Sequence, residues 1–107
     1  MFIRLFIKTT NSEVAIETIS NVLSHIKKEN IKNKSTRTEP YWKYDDITVG
    51  EIDVELYREL DNDEKEVFLN CLSNKWRILG DNTAISSLNI EECCLKYNLE
   101  MIDIHFN

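Results

Sequence analysis

Apolar residues alternate at Ile3, Leu5 and Ile7, with Phe2, Arg4, Phe6 and Lys8 between them. That period of two predicts a first strand with one wholly apolar face and one mixed aromatic and basic face. The segment opens apolar, but Arg4 interrupts it and no small-residue cleavage pattern follows, so a strand is expected rather than a targeting segment. Thr10 followed by Glu13 has capping-box spacing, and Ala15, Ile19, Val22, Leu23 and Ile26 then recur at helical intervals. A helix from about Ser12 to Glu29 is predicted.

After a polar, lysine-rich connection, the stretch Ile47 to Tyr57 alternates strictly. Ile52, Val54 and Leu56 fall on one side and Glu51, Asp53 and Glu55 on the other. Thr36 to Tyr44 is rich in strand-forming Thr, Tyr and Trp, which suggests a hairpin turning at Asp45-Asp46, and Pro40 confines that arm to a sheet edge. Asp61 with Glu64 marks a second helix, continued by Phe68, Cys71, Leu72 and Trp76. Gly80-Asp81-Asn82 then breaks the chain, leaving Trp76 to Leu79 as either a helix end or a short strand. Asn89 is suited to cap a short third helix through Tyr97, with Asn98 as a left-handed stop. Ile102, Ile104 and Phe106 predict a last strand.

This order predicts one α+β domain over residues 1–107, two-layered, with helices on one face of a mostly antiparallel sheet. A ferredoxin-like split arrangement is the leading topology. The length of 107 residues and the 42% hydrophobic content suit a single core, and two glycines and one proline leave no linker-like stretch. No apolar run approaches the roughly 18 residues of a membrane span. Three cysteines, Cys71, Cys93 and Cys94, are odd in number with two adjacent, a poor disulfide framework that favours a reducing cytoplasm.

Charge changes the picture most. Residues 1–38 carry seven Lys and Arg against three Asp and Glu, residues 39–66 three against eleven, and residues 67–107 three against five. The nets are +4, −8 and −2. A field concentrated in one segment steers a cationic partner and disfavours direct nucleic-acid binding there. The lysines Lys27, Lys28, Lys32 and Lys34, with Arg37, are better explained as complements to a helix dipole than as a phosphate site.

Catalytic and metal chemistry finds little support. His25 and His105 have no ligand partner at zinc spacing, and the chain holds no Gly-rich phosphate loop and no nucleophile elbow. Carboxylates on alternate strand residues lie about 6.6 to 7 Å apart, a charged row rather than converging ligands. The expectation is a binding protein with no catalytic residue, no metal and no cofactor. The candidate partner-binding residues are Tyr41, Trp42, Tyr44, Asp45, Asp46, Glu51, Asp53 and Glu55, amphipathic rings interleaved with carboxylates. Burial of Trp42 in the core is the competing role for that ring.

With Tyr41-Trp42-Lys43-Tyr44-Asp45-Asp46 running into an acidic strand, the chain resembles the bacterial immunity proteins of polymorphic and contact-dependent toxin systems. That resemblance implies a stoichiometric inhibitor that binds a cognate toxin domain, often a basic nuclease, and either covers or distorts its active site. The cysteines, the charge pattern and the lack of a long apolar run add the expectation of a cytoplasmic protein that contacts neither nucleic acid nor membrane. Two alternatives remain: a phage-type inhibitor that mimics nucleic acid, and a small-ligand-binding or enzymatic α+β domain that uses the open sheet face.

Overall fold

The computed structural model describes residues 1–106 as an α+β domain with helices on one face of an antiparallel sheet. Strand β1 (Phe2–Lys8) leads into helix α1 (Ser12–Leu23), then β2 (Ile31–Pro40) and β3 (Ile47–Leu56). Helix α2 (Asn62–Leu72), β4 (Arg77–Leu79), β5 (Thr83–Ser87) and β6 (Leu99–His105) complete the chain order. The sheet runs β2-β3-β1-β6-β5-β4, and every neighbouring pair is antiparallel. The β4–β5 hairpin stands between α2 and β6, so the chain departs from an uninterrupted β-α-β-β-α-β order.

The core forms where the alternating apolar stripes meet the helices. Ile3, Leu5 and Ile7 of β1, Ile52 and Val54 of β3, and Ile102 and Ile104 of β6 are buried with Ile19 and Val22 of α1 and with Phe68 and Leu72 of α2. Gly50 lets α1 approach β3 closely, since a Cβ there would lie 3.2 Å from Ile19 Cδ1.

Several boundaries differ from expectation for local reasons. The cap of α1 is Asn11 and not Thr10: its Oδ1 accepts from Glu13 N at 2.8 Å and Val14 N at 3.4 Å. The helix ends at Leu23 because His25 and Ile26 bond three residues back, to Val22 and Leu23, which tightens the chain out of the α-helix. Ile26 stays buried beyond that turn, and so its helical spacing misleads. The lysine-rich connection is itself strand: β2 starts at Ile31, and the turn occupies Tyr41–Asp46. The capping box of Asp61 with Glu64 is present, but α2 stops at Leu72. Residues Arg77–Leu79 are strand.

No helix forms between Asn89 and Tyr97. Amides that a helix would use are taken by neighbours, with Cys94 N donating to Asn74 Oδ1 at 2.6 Å and Lys96 N to Leu72 O at 3.1 Å. Glu92, Tyr97 and Asn98 adopt φ near +60°, so Asn98 is left-handed as expected, but at the entry to β6 rather than at a helix end.

Candidate functional site

Cross-strand register builds the face of the sheet that the helices leave open. One row runs Arg37, Glu51, Arg4, Asp103, Ile85, Arg77, which alternates in charge across most of the sheet. A parallel row runs Ser35, Asp53, Phe2, His105, Thr83, Leu79, and a third carries Glu39, Val49, Phe6, Met101 and Ser87. Arg4 and Arg37 both pair with Glu51, so the β2–β3–β1 part of this face is self-neutralised, whereas among the described residues Asp103 makes no ion pair with Arg4 and its buried Oδ1 accepts no hydrogen bond.

Glu51 shows the effect most clearly. Its side chain is only 8% exposed, held by Arg4 on one oxygen and Arg37 on the other. Hydrogen bonds from Arg4, opposed by burial and reinforced by Arg37, hold its carboxyl below the usual carboxylate range. The expected exposure of Glu51 beside Asp53 and Glu55 is therefore not found: the strand presents all three to the same face, but two arginines close over the first. Both arginines come from other strands, which the spacing of β3 alone does not reveal.

The remaining candidates separate into two groups. Asp53 and Glu55 are exposed and line a cavity of about 410 Å³ with Met1, Asn33 and Phe106, and Lys32 pairs with Glu55 at 3.3 Å. Tyr41, Trp42, Tyr44, Asp45 and Asp46 form the β2–β3 turn. Tyr41 N donates to Ile47 O at 2.9 Å, and the Tyr41 ring stands edge-on to Phe6 with centroids 5.2 Å apart. Trp42 and Tyr44 pack against Tyr41 at 5.8 and 5.9 Å. Trp42 is nevertheless 86% exposed and Tyr44 53%, which decides against core packing for Trp42.

Between this turn and Ser87–Asn89 lies a groove of about 560 Å³ with Phe6, Ile47 and Met101 among its lining residues. Asp46 and Glu100 also line it, and Lys43 Nζ sits 5.6 Å from the Tyr44 ring. Phe6, Leu88, Glu100 and Met101 were not among the expected site residues. They come from β1, β6 and the segment after β5, and only the register of the sheet brings them to the turn.

Groups capable of chemistry occur elsewhere in less promising settings. On the open face His105 Nε2 lies 3.2 Å from Asp103 Oδ1 along β6, and Thr83 Oγ1 of the neighbouring β5 lies 3.4 Å from His105 Nδ1. His25 shares a 2.6 Å hydrogen bond with Tyr97. Ser73, Ser86 and Cys93 form a packed polar cluster, with the two hydroxyl oxygens 2.6 Å apart. Cys71, Cys93 and Cys94 are all free thiols. Among the described residues no three His, Cys, Asp or Glu side chains converge as a metal site would, and no helix is long and apolar enough to cross a membrane.

No family model matches this chain, nor does any curated protein or solved structure.

Proposed function

We propose that the protein is a stoichiometric inhibitor that binds a basic protein domain through the Tyr41–Asp46 turn, in the manner of the toxin-immunity proteins it resembles. The observation that carries this is Trp42, 86% exposed on a turn whose neighbouring ring, Tyr41, is braced against Phe6. A large indole left in water by a folded chain is suited to dock into a partner's pocket, and a braced turn reduces the ordering cost of docking it. Asp45 and Asp46, both exposed beside the rings, supply the attraction for a cationic surface. The arginine-neutralised centre of the sheet leaves these carboxylates as the sharper electrostatic feature of the open face.

The decisive experiment co-expresses the chain with the product of its adjacent reading frame and follows binding and that product's activity. The expected result is a one-to-one complex with the activity suppressed, weakened by Trp42→Ala and by the double reversal Asp45→Lys with Asp46→Lys. An affinity unchanged by both variants would overturn the assignment.

A further inference from the structure

We infer that the 560 Å³ groove beside the turn receives an arginine side chain of the protein partner. This rests on the proposed protein-binding role and names the chemistry of its anchor. The lining joins apolar surface from Phe6, Ile47 and Met101 to the Tyr44 ring and to the carboxylates of Asp46 and Glu100. An arginine needs that combination: an apolar surface for its stem, a ring face for its planar head, and a carboxylate for paired donors.

The chain's own cations already stand at the ring and at one of the two carboxylates. Lys43 Nζ lies 5.6 Å from the centroid of the Tyr44 ring, and Lys8 Nζ lies 3.8 Å from Glu100 Oε1. Both contacts are loose and solvent-facing, and neither lysine can match the bidentate geometry of a guanidinium. They act as placeholders that an incoming arginine displaces.

The test is a titration of the full chain, followed by NMR at low salt, with a blocked peptide holding one arginine between glycines. The same peptide with citrulline, which keeps the shape and removes the charge, is the control. Expected are shifts at Met101, Leu88 and Tyr44 with the arginine peptide only. Glu100→Gln should weaken binding about two- to fivefold, and Lys43→Ala should tighten it by a similar factor, because a competing cation is gone. Lys43 is exposed, so this variant tests affinity without disturbing the fold, which a melting curve verifies. Absence of binding, equal binding of citrulline, shifts centred on Asp53 and Glu55, or weaker binding by Lys43→Ala would each overturn the groove assignment. If the peptide is silent while Trp42→Ala still weakens the complex with the partner protein, only the groove assignment falls. If the partner complex ignores Trp42→Ala and the Asp45 and Asp46 reversal, the wider proposal falls whatever the peptide does.

Discussion

Arg4 donates twice to one oxygen of Glu51, from Nε at 3.1 Å and from Nη2 at 2.9 Å. Arg37 takes the other oxygen through Nε at 2.6 Å, so three strands are tied through one carboxylate. The carboxylate is the buried member, while Arg4 and Arg37 are 43% and 74% exposed and keep contact with water. Such an arrangement lowers the desolvation cost that a fully buried ion pair incurs.

Removing the shared acceptor leaves two guanidinium groups facing each other across β3. Glu51→Ala is therefore expected to destabilise the fold by about 1 to 3 kcal/mol, discounted for the exposure of the arginines. Denaturant unfolding measures it directly. Asp53→Ala serves as the neighbouring control and should change stability by no more than about 0.5 kcal/mol.

The pH dependence follows from two depressed carboxyls. Arg4 chiefly lowers Glu51, and Arg58 lowers Glu64 to about 2 through paired hydrogen bonds at 2.6 and 2.7 Å. A carboxyl depressed in the folded state binds its proton more readily when unfolded. Its contribution is thus present above the ordinary value of 4.5 and is lost as pH falls through the folded value. Melting temperature should drop in this acid range, more steeply for the native chain than for Glu51→Gln or Glu64→Gln. Parallel melting curves for native and variant chains across that range would contradict the linkage.

On the helix-facing side, Ile52→Ala or Val54→Ala should cost about 2 to 5 kcal/mol, because both side chains are buried in the common core. Glu55→Ala, exposed and loosely paired with Lys32, should be near neutral by the same denaturant measurement.

The alternation that supports this ranking is visible in the sequence, because burial on one face leaves a period of two in β1, in β6 and in the second half of β3, whereas residues 47–52 are buried on both faces. Strand β5 leaves no such trace: its buried positions are Ala84 and Ser86, too small and too polar to stand out as an apolar stripe. The segment from Asn89 to Tyr97 misleads in the other direction, since Leu95 and Tyr97 pack against the common core while amides of the segment bond to Asn74 and Leu72. The turn residues Tyr41 to Asp46 were legible as rings among carboxylates. The groove beside them was not, because Phe6 and Met101 meet the turn only through long-range strand pairing.

The buried hydroxyls offer a separate check. Ser86 is fully buried and donates to Lys75 O at 2.7 Å or to Ser73 Oγ at 2.6 Å. Ser86→Ala should cost about 1 to 3 kcal/mol by stranding polar partners away from water. The double variant with Ser73→Ala should lose less than the two single changes together, which a double-mutant cycle in urea would establish.

The turn rings should separate binding from folding. Trp42 is so exposed that Trp42→Ala should leave the melting temperature unchanged, yet it should raise the dissociation rate from the partner and cost about 2 kcal/mol or more in affinity. Tyr41→Ala should behave differently. Loss of its edge-on contact with Phe6 frees the turn, so both stability and affinity fall, stability by about 1 kcal/mol. Reversal of Asp45 and Asp46 to lysine acts earlier, on approach: association slows, and the fall of the on-rate with rising salt is largely lost. Stopped-flow association at several salt concentrations, beside melting curves for each variant, distinguishes the three effects. Should Trp42→Ala lower the melting temperature while leaving dissociation untouched, the indole would be a structural residue and the turn would lose its claim as the anchor.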